Sequence, residues 1–321
     1  MRLKTPKFWE KPSALSTLLS PLSCLYLAGH KIHQARQKTP YTSKLPILCV
    51  GNAVAGGSGK TPAVLALTDL LLEGGLTQSP LILTRGYGGR LKGPTMVSPD
   101  HHTYEDVGDE ALLLVSKAMT CVCANRGYGA QMAELGGADL ILMDDGLQNR
   151  QLEKTLSLMV VDEAQGLGNG KLLPAGPLRE PLKDILARTD AILLVGETLP
   201  FKTNLPVFRA AITPRKTDLP EGPCIAFAGL GRPEKFEKTL RKNGIEIQSF
   251  HSFPDHHPYR PEDLALLLRE AEKSGARLLT TEKDHVRLPG PFKDKIVPFP
   301  VRMVFETPEK LLGFLKTGLS R

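Results

Sequence analysis

Val54-Ala55-Gly56-Gly57-Ser58-Gly59-Lys60-Thr61 is the stretch whose residue types and spacing best suit chemistry. Glycines let backbone N–H groups curl around an anion, a lysine adds a mobile positive charge, and the next hydroxyl can hold a divalent cation. That combination suits the phosphates of a nucleoside triphosphate, with Lys60 on the β/γ-phosphates and Thr61 on Mg2+. The usual spacing G-x-x-x-x-G-K-[ST] asks for Gly where Val54 stands, while Gly51, Gly56 and Gly57 give flexibility at other places. On local pattern alone, a glycine-rich turn in an ordinary α/β unit reads the same way.

Other candidate groups lie downstream. Asp139-Leu140-Ile141-Leu142-Met143-Asp144-Asp145-Gly146 is an apolar run ending in two carboxylates, the form of a strand that brings an acid beside a phosphate loop to hold Mg2+. Asp109, in Val107-Gly108-Asp109-Glu110, suits either a helix N-cap or a carboxylate at the mouth of a site. Arg85-Gly86-Tyr87-Gly88-Gly89-Arg90 is a flexible basic loop after a strand, where α/β sheets place ligands. Gly166 to Pro181 is too rich in Gly and Pro for regular structure. It holds Arg179, a phosphate-contact candidate, and Glu180, a metal or supporting carboxylate; a rigid connector is the alternative. Asp255-His256-His257 is a poor metal cluster, because consecutive side chains rarely converge on one ion. A His paired with a carboxylate is its functional reading, and a polar strand-to-helix connection the plain one. Thr281-Glu282-Lys283-Asp284 resembles a guanine-reading motif only loosely, and its Lys–Asp spacing gives no case for GTP.

Positioning these groups requires an α/β framework. Leu45 to Val50 reads as a buried strand before the glycine loop, and Pro62 to Glu73 as the helix after it, with Leu65, Leu70, Leu71 and Leu72 as apolar surface. Further strands are expected at 81–84, 120–124, 139–144, 156–161 and 191–195. A compact Rossmann-like lobe follows: strand 224–228, helix 233–242, strand 245–249, helix 261–273, strand 277–280. Strand-like runs 207–212 and 296–304 bracket it and could pair as a hinge, with a closing helix over 307–317.

The 321 residues, 41% of them hydrophobic, provide ample chain for a buried core. Five cysteines, an odd number lying mostly in expected strands, read as reduced core residues of a cytosolic protein. The net charge is +7, and residues 1–40 hold seven Lys/Arg against one Glu. Residues 13–29 carry no charge but are too short and serine-rich to span a membrane. Leu15, Leu18, Leu19, Leu22 and Tyr26 fall at helical spacing, with Trp9 and Phe8 before them. Such a helix suits an anionic membrane interface, with Pro21 as a kink, or else docks on the protein's own core.

Taken together, the chain resembles the tetraacyldisaccharide 4'-kinase (lipid A 4'-kinase) family. The matching stretches are Gly51-Asn52 with Gly56 to Pro62, Arg85 to Gly89, Gly108-Asp109-Glu110, Asp144 to Gln148, Gly168-Asn169-Gly170 through Glu180, Phe253 to His257, and Thr281 to Asp284. The resemblance implies a P-loop NTPase parallel-sheet domain plus a smaller Rossmann-like α/β lobe on a two-stranded linker, with an N-terminal interfacial helix. The expected division is 1–40 membrane-associating, 41–205 P-loop kinase domain with helix 305–321 packed back on it, and 206–304 smaller lobe. It implies transfer of the ATP γ-phosphate to the 4'-hydroxyl of tetraacyldisaccharide 1-phosphate, forming lipid IV-A. ATP and Mg2+ would be the cofactors.

By motif, Asp109 would be the base, tuned by His256, with Lys60 on the phosphates. Val54 to Thr61 would cradle ATP; Thr61, Asp145 and Glu180 would serve Mg2+, with Asp144 nearby. The family motif places His where this chain has Asn149, which cannot carry charge, so Asn149 stays outside the catalytic set. Expected partners are the lipid acceptor and an anionic membrane surface, with no nucleic acid and no obligatory protein partner. The expected location is peripheral, on the cytoplasmic face of a Gram-negative inner membrane. A P-loop NTPase acting as a membrane-peripheral switch or metallochaperone is the competing reading; it leaves the basic amphipathic N-terminus unexplained.

Overall fold

The computed structural model describes residues 6–35, 40–57, 59–215 and 221–320, with the side chains of 33–35 excepted. Ser58 of the glycine loop and Arg2, Lys4, Arg36 and Lys38 of the basic N-terminus lie outside the described residues. The chain divides into two compact units, Pro6–Ile212 with Met303–Arg321, and Thr213–Arg302.

The larger unit is built on a nine-stranded sheet. Its strands are β1 (Ile47–Gly51), β2 (Pro80–Thr84), β3 (Thr95–Met96), β4 (Met119–Val122), β5 (Leu140–Asp144), β6 (Leu156–Asp162), β7 (Ala191–Val195) and β8 (Val207–Pro214), joined at the edge by β13 (Val301–Phe305). The order is β13-β8-β7-β6-β1-β5-β2-β4-β3. Strands β1, β2 and β4–β8 pair in parallel, and β3 runs antiparallel to β4. Parallel strands covered on both faces need continuous apolar runs, and β1, β2, β5, β6 and β7 are buried at every position. Because β1 sits between β5 and β6, the loops leaving β1 and β5 emerge side by side at the carboxyl end of the sheet, where such folds bind ligands.

Two apolar clusters fill the sheet's two faces. The helix Lys60–Glu73 covers one of them through Ala63, Val64, Leu67 and Leu71, a stripe at helical spacing. This corrects the expected stripe: Leu71 belongs to it, Leu65 and Leu70 are only partly buried, and Leu72 is exposed. The helix Pro308–Leu319 adds Leu311 and Leu315 to the same cluster.

The N-terminal segment forms two helices, Ala14–Leu18 and Ser20–Ala35, rather than one kinked helix. Ser13 and Ser16 form a reciprocal capping box on the first. Pro21 falls in the first turn of the second, where its missing N–H costs nothing. The serine face docks inward: Ser23 Oγ donates to Leu172 O at 2.9 Å, and Lys171 Nζ lies 3.0 Å from Ser20 Oγ. Trp9 Nε1 donates to Pro174 O at 2.9 Å. Leu15, Leu18, Leu22 and Leu25 are left exposed, Leu18 and Leu25 by 75% and 70%. No helix among the described residues is long and apolar enough to cross a membrane.

The smaller unit holds a four-stranded parallel sheet in the order β10-β9-β11-β12, with β9 (Cys224–Ala228), β10 (Ile247–Ser252), β11 (Arg277–Thr281) and β12 (Val297–Phe299). Helices Pro233–Lys242 and Pro261–Ser274 contribute to separate apolar clusters. The single expected strand 296–304 is two strands: β12 belongs to this sheet, β13 to the nine-stranded one, and Pro300 stands between them. The five cysteines are free, and all but Cys24 are buried.

Candidate active site

The glycine loop leaves β1 at Gly51 and returns into the helix at Lys60. Gly56 and Gly59 have φ of 110° and 82°, conformations that disfavour a side chain. Val54 has no such requirement. It is buried and forms an antiparallel bridge with Leu178. On either side, Arg179 N donates to Ala53 O at 3.0 Å and Ala55 N to Pro177 O at 2.8 Å. The Gly/Pro-rich segment 166–181 thus pairs with the start of the loop like a short strand, and a β-branched residue suits that place. This accounts for the departure from the usual glycine spacing.

Lys60 Nζ lies 3.3 Å from Asn52 Oδ1 and 3.8 Å from Asp145 Oδ1. Arg179 Nη1 donates to both oxygens of Asp145 at 2.9 and 3.0 Å. Burial alone pushes the Asp145 carboxyl up, but the charges of Lys60 and Arg179 outweigh it and hold it below the usual carboxylate value. Asp145 has φ of 50°, a left-handed conformation that Asp tolerates better than most residues and that turns the chain sharply after β5. Gln148 Nε2 donates to Asn52 O at 2.9 Å, linking this turn to the glycine loop.

Asp144, the last residue of β5, is buried and accepts from Thr84 Oγ1 at 3.1 Å through Oδ2. Burial, then the carboxylates of Glu110 and Asp145, push its carboxyl up to about 7. Its Oδ1 is buried without a hydrogen-bond partner. An orphaned carboxylate oxygen beside a second carboxylate, with the Thr61 hydroxyl at the start of the adjoining helix, is a donor set of hard oxygens that fits Mg2+. Among the described residues no three His, Cys, Asp or Glu side chains already cluster to hold a metal. Mg2+ commonly takes one or two carboxylates and completes its shell with water and substrate phosphates.

Asp109 is 3% exposed and opens the short helix Asp109–Leu114, where Oδ1 accepts from Glu110 N at 2.9 Å. A Cβ at Gly108 would stand 2.4 Å from Tyr87 O, so this helix start packs against the loop leaving β2, the neighbour of β5. Glu180 is held elsewhere: Arg188 Nη2 donates to both its oxygens at 3.0 Å, and His30 Nε2 lies 3.5 Å away. It lines a cavity of about 260 Å3 with Leu27, His30, Lys31 and Arg150. His256 lies in the smaller unit, with Nε2 3.4 Å from Lys283 Nζ. Asn149 exchanges hydrogen bonds with Gln151 and accepts from Lys154, which builds a turn out of the position that carries His in the family motif.

Three groups escaped the sequence reading. Asn52 and Gln148 stand inside quoted motifs but carry no charge to mark them. Arg126, at the start of the helix Arg126–Leu135, is buried and donates to Cys123 O at 2.6 Å and Asp144 O at 3.3 Å. It fastens the end of β5 to the chain following β4, and nothing in its local sequence signals that.

The chain matches the family model described as LpxK, tetraacyldisaccharide-1-P 4'-kinase, over residues 15–320. A Bradyrhizobium sp. protein named tetraacyldisaccharide 4'-kinase is 44% identical, over 99% of this chain and 96% of its own length. A Methylorubrum extorquens protein of the same name is 45% identical, over 99% of this chain and 100% of its own length. LpxK from Aquifex aeolicus, a crystal structure described as an "apo" form in complex with ATP, is similar with a TM-score of 0.78 and 29% identity, covering 95% of this chain and 99% of that one. With matches at this identity over nearly the whole length, this chain belongs to the tetraacyldisaccharide-1-P 4'-kinase family.

Proposed function

We propose that this chain transfers the γ-phosphate of ATP to the 4'-hydroxyl of tetraacyldisaccharide 1-phosphate, forming lipid IV-A in lipid A biosynthesis. The observation that carries the reading is the convergence of Lys60 on Asn52 and Asp145 at the joint end of β1 and β5. Family membership supplies the acceptor.

Phosphoryl transfer asks the protein mainly for positioning and charge stabilisation. In this reading the N–H groups of the glycine loop from Gly56 to Thr61 and the Lys60 ammonium hold the β- and γ-phosphates, while Ala55 N–H stays on Pro177 O. Thr61, Asp145 and Glu180, with Asp144 nearby, would hold Mg2+, which would supply charge neutralisation at the phosphates. Asp109 accepts the acceptor's hydroxyl proton as that oxygen bonds to the γ-phosphorus and the bond to the β-phosphate oxygen breaks, releasing ADP. His256 is the second catalytic side chain. Arg179 keeps Asp145 ionised and aimed.

The exposed leucines of the N-terminal helices support peripheral attachment to an anionic membrane, on the cytoplasmic face of a Gram-negative inner membrane, where ATP and the lipid acceptor meet. Burying the exposed parts of Leu15, Leu18, Leu22 and Leu25 is worth on the order of 5 kcal/mol. Nearby Lys and Arg add about 1 kcal/mol each at an anionic leaflet.

ADP release measured with and without detergent-solubilised acceptor tests the reading. A kinase releases ADP in step with added acceptor. Release at an equal rate without acceptor is the behaviour of a nucleotide switch and contradicts the proposal.

A further inference from the structure

Thr281-Glu282-Lys283-Asp284 was singled out in the sequence, and the phosphoryl-transfer reading gives it no work. In the smaller unit Asp284 is wholly buried. Its Oδ1 accepts from Tyr259 Oη at 2.8 Å, from Gly229 N at 3.1 Å and from Arg287 Nη2; its Oδ2 accepts from Thr281 Oγ1 at 2.6 Å. Arg287 is 2% exposed, and its Nη2 also donates to Gly229 O at 3.2 Å. A buried ion pair stabilises a fold poorly, because desolvation offsets its attraction. What this one does is grip both backbone groups of a single residue. A Cβ at 229 would stand 2.9 Å from Tyr259 Oη and 3.0 Å from Asp284 Oδ1, so the grip fits glycine alone.

Gly229 O also accepts from His256 N at 3.1 Å, and His256 has φ of 54°, an unusual conformation for a non-glycine residue that its surroundings must enforce. Next to Asp284 on the same short helix, Glu282–His285, Lys283 Nζ lies 3.4 Å from His256 Nε2, and Asp255 Oδ1 lies 3.8 Å from the same nitrogen.

We infer that Tyr259, Asp284 and Arg287, with Lys283, form a positioning assembly for His256. The buried trio fixes Gly229, Gly229 carries the His256 backbone, and Lys283 orients the ring. The inference rests on the reading of His256 as a group of the phosphoryl-transfer site.

The test is a double-mutant cycle on the full chain. Tyr259→Phe removes one hydroxyl from the assembly, and Lys283→Met removes the ring contact. Each is measured alone and in a His256→Ala background for kcat, KM for ATP and melting temperature. Phe236→Leu, a core change in the other apolar cluster of this unit, serves as the stability control. Each single variant is expected to lower kcat about fivefold with KM for ATP nearly unchanged, and to cost nothing further once His256 is gone. Phe236→Leu lowers the melting temperature without that kcat loss. An equal fold-loss in both backgrounds, or a loss that follows melting temperature as in the control, overturns the positioning role. Full activity of His256→Ala overturns it too, and places the failure in the reading of His256 itself.

Discussion

Arg179 Nη1 contacts both carboxylate oxygens of Asp145, at 2.9 and 3.0 Å, and so ties the glycine/proline-rich segment to the turn after β5. The neighbouring backbone N–H of Arg179 holds Ala53 O at 3.0 Å, at the start of the glycine loop. One residue therefore fixes the loop by its backbone and the acid opposite Lys60 by its side chain. Arg179→Ala leaves the backbone contact and removes the charge. Loss of a hydrogen bond to a charged group costs about 1.5–3 kcal/mol, so kcat should fall roughly 10- to 100-fold. Steady-state kinetics on folded variant protein checks it; an unchanged kcat dissociates Asp145 from the chemistry.

Asp109 is expected to act on the acceptor and not on ATP. Asp109→Asn keeps the shape of a buried side chain and removes its basicity. A general base contributes about 10²- to 10⁴-fold, so kcat should drop by that order while KM for ATP stays near the wild-type value. A rise in KM for ATP at constant kcat would assign Asp109 to nucleotide binding instead.

Val54 looks like a defect in the glycine pattern and is expected to be required by the fold. Val54→Gly restores the usual spacing but deletes a buried side chain from a bridge with Leu178 and adds backbone freedom to the unfolded chain. Stability should fall by about 2–4 kcal/mol, read from the midpoint of urea unfolding. A more stable Val54→Gly protein contradicts the strand-like pairing described here.

The N-terminal helices separate two functions on two faces. Leu18→Asp with Leu25→Asp alters side chains that are 75% and 70% exposed, so the melting temperature should hold. Co-sedimentation with vesicles containing phosphatidylglycerol should decline sharply. Ser23→Val, by contrast, removes the contact to Leu172 O and should lower the melting temperature. Vesicle binding unaffected by the leucine changes would remove those side chains from membrane attachment.

Much of the framework could be read from local pattern. The strand before the glycine loop and the strand ending in Asp144-Asp145 are continuous apolar runs bounded by turn residues, and in the smaller unit short strands alternate with amphipathic helices. What escaped is what depends on distant partners. The run 296–304 reads as one strand because Pro300 permits extended backbone on either side, yet β12 and β13 join different sheets. The inward face of Lys60–Glu73 departs from its leucine pattern because Ala63, Val64, Leu67 and Leu71 are the residues that the sheet buries. Arg126 binds a carbonyl 18 residues away, and Glu180 meets Arg188 and His30, relations that appear only when the chain is folded. The motif residues named the chemistry; the hydrogen bonds that hold them came from uncharged or distant groups.

The central claim is tested most directly by following the phosphate itself. Wild-type protein and Lys60→Ala are incubated with γ-labelled ATP, Mg2+ and detergent-solubilised tetraacyldisaccharide 1-phosphate, and the extracted lipid is analysed for label and its position. The account predicts a labelled bis-phosphorylated lipid, with the new phosphate on the 4'-oxygen, from the wild type and almost none from Lys60→Ala. ATP consumed with no label in the lipid, or equal labelling by Lys60→Ala, contradicts it.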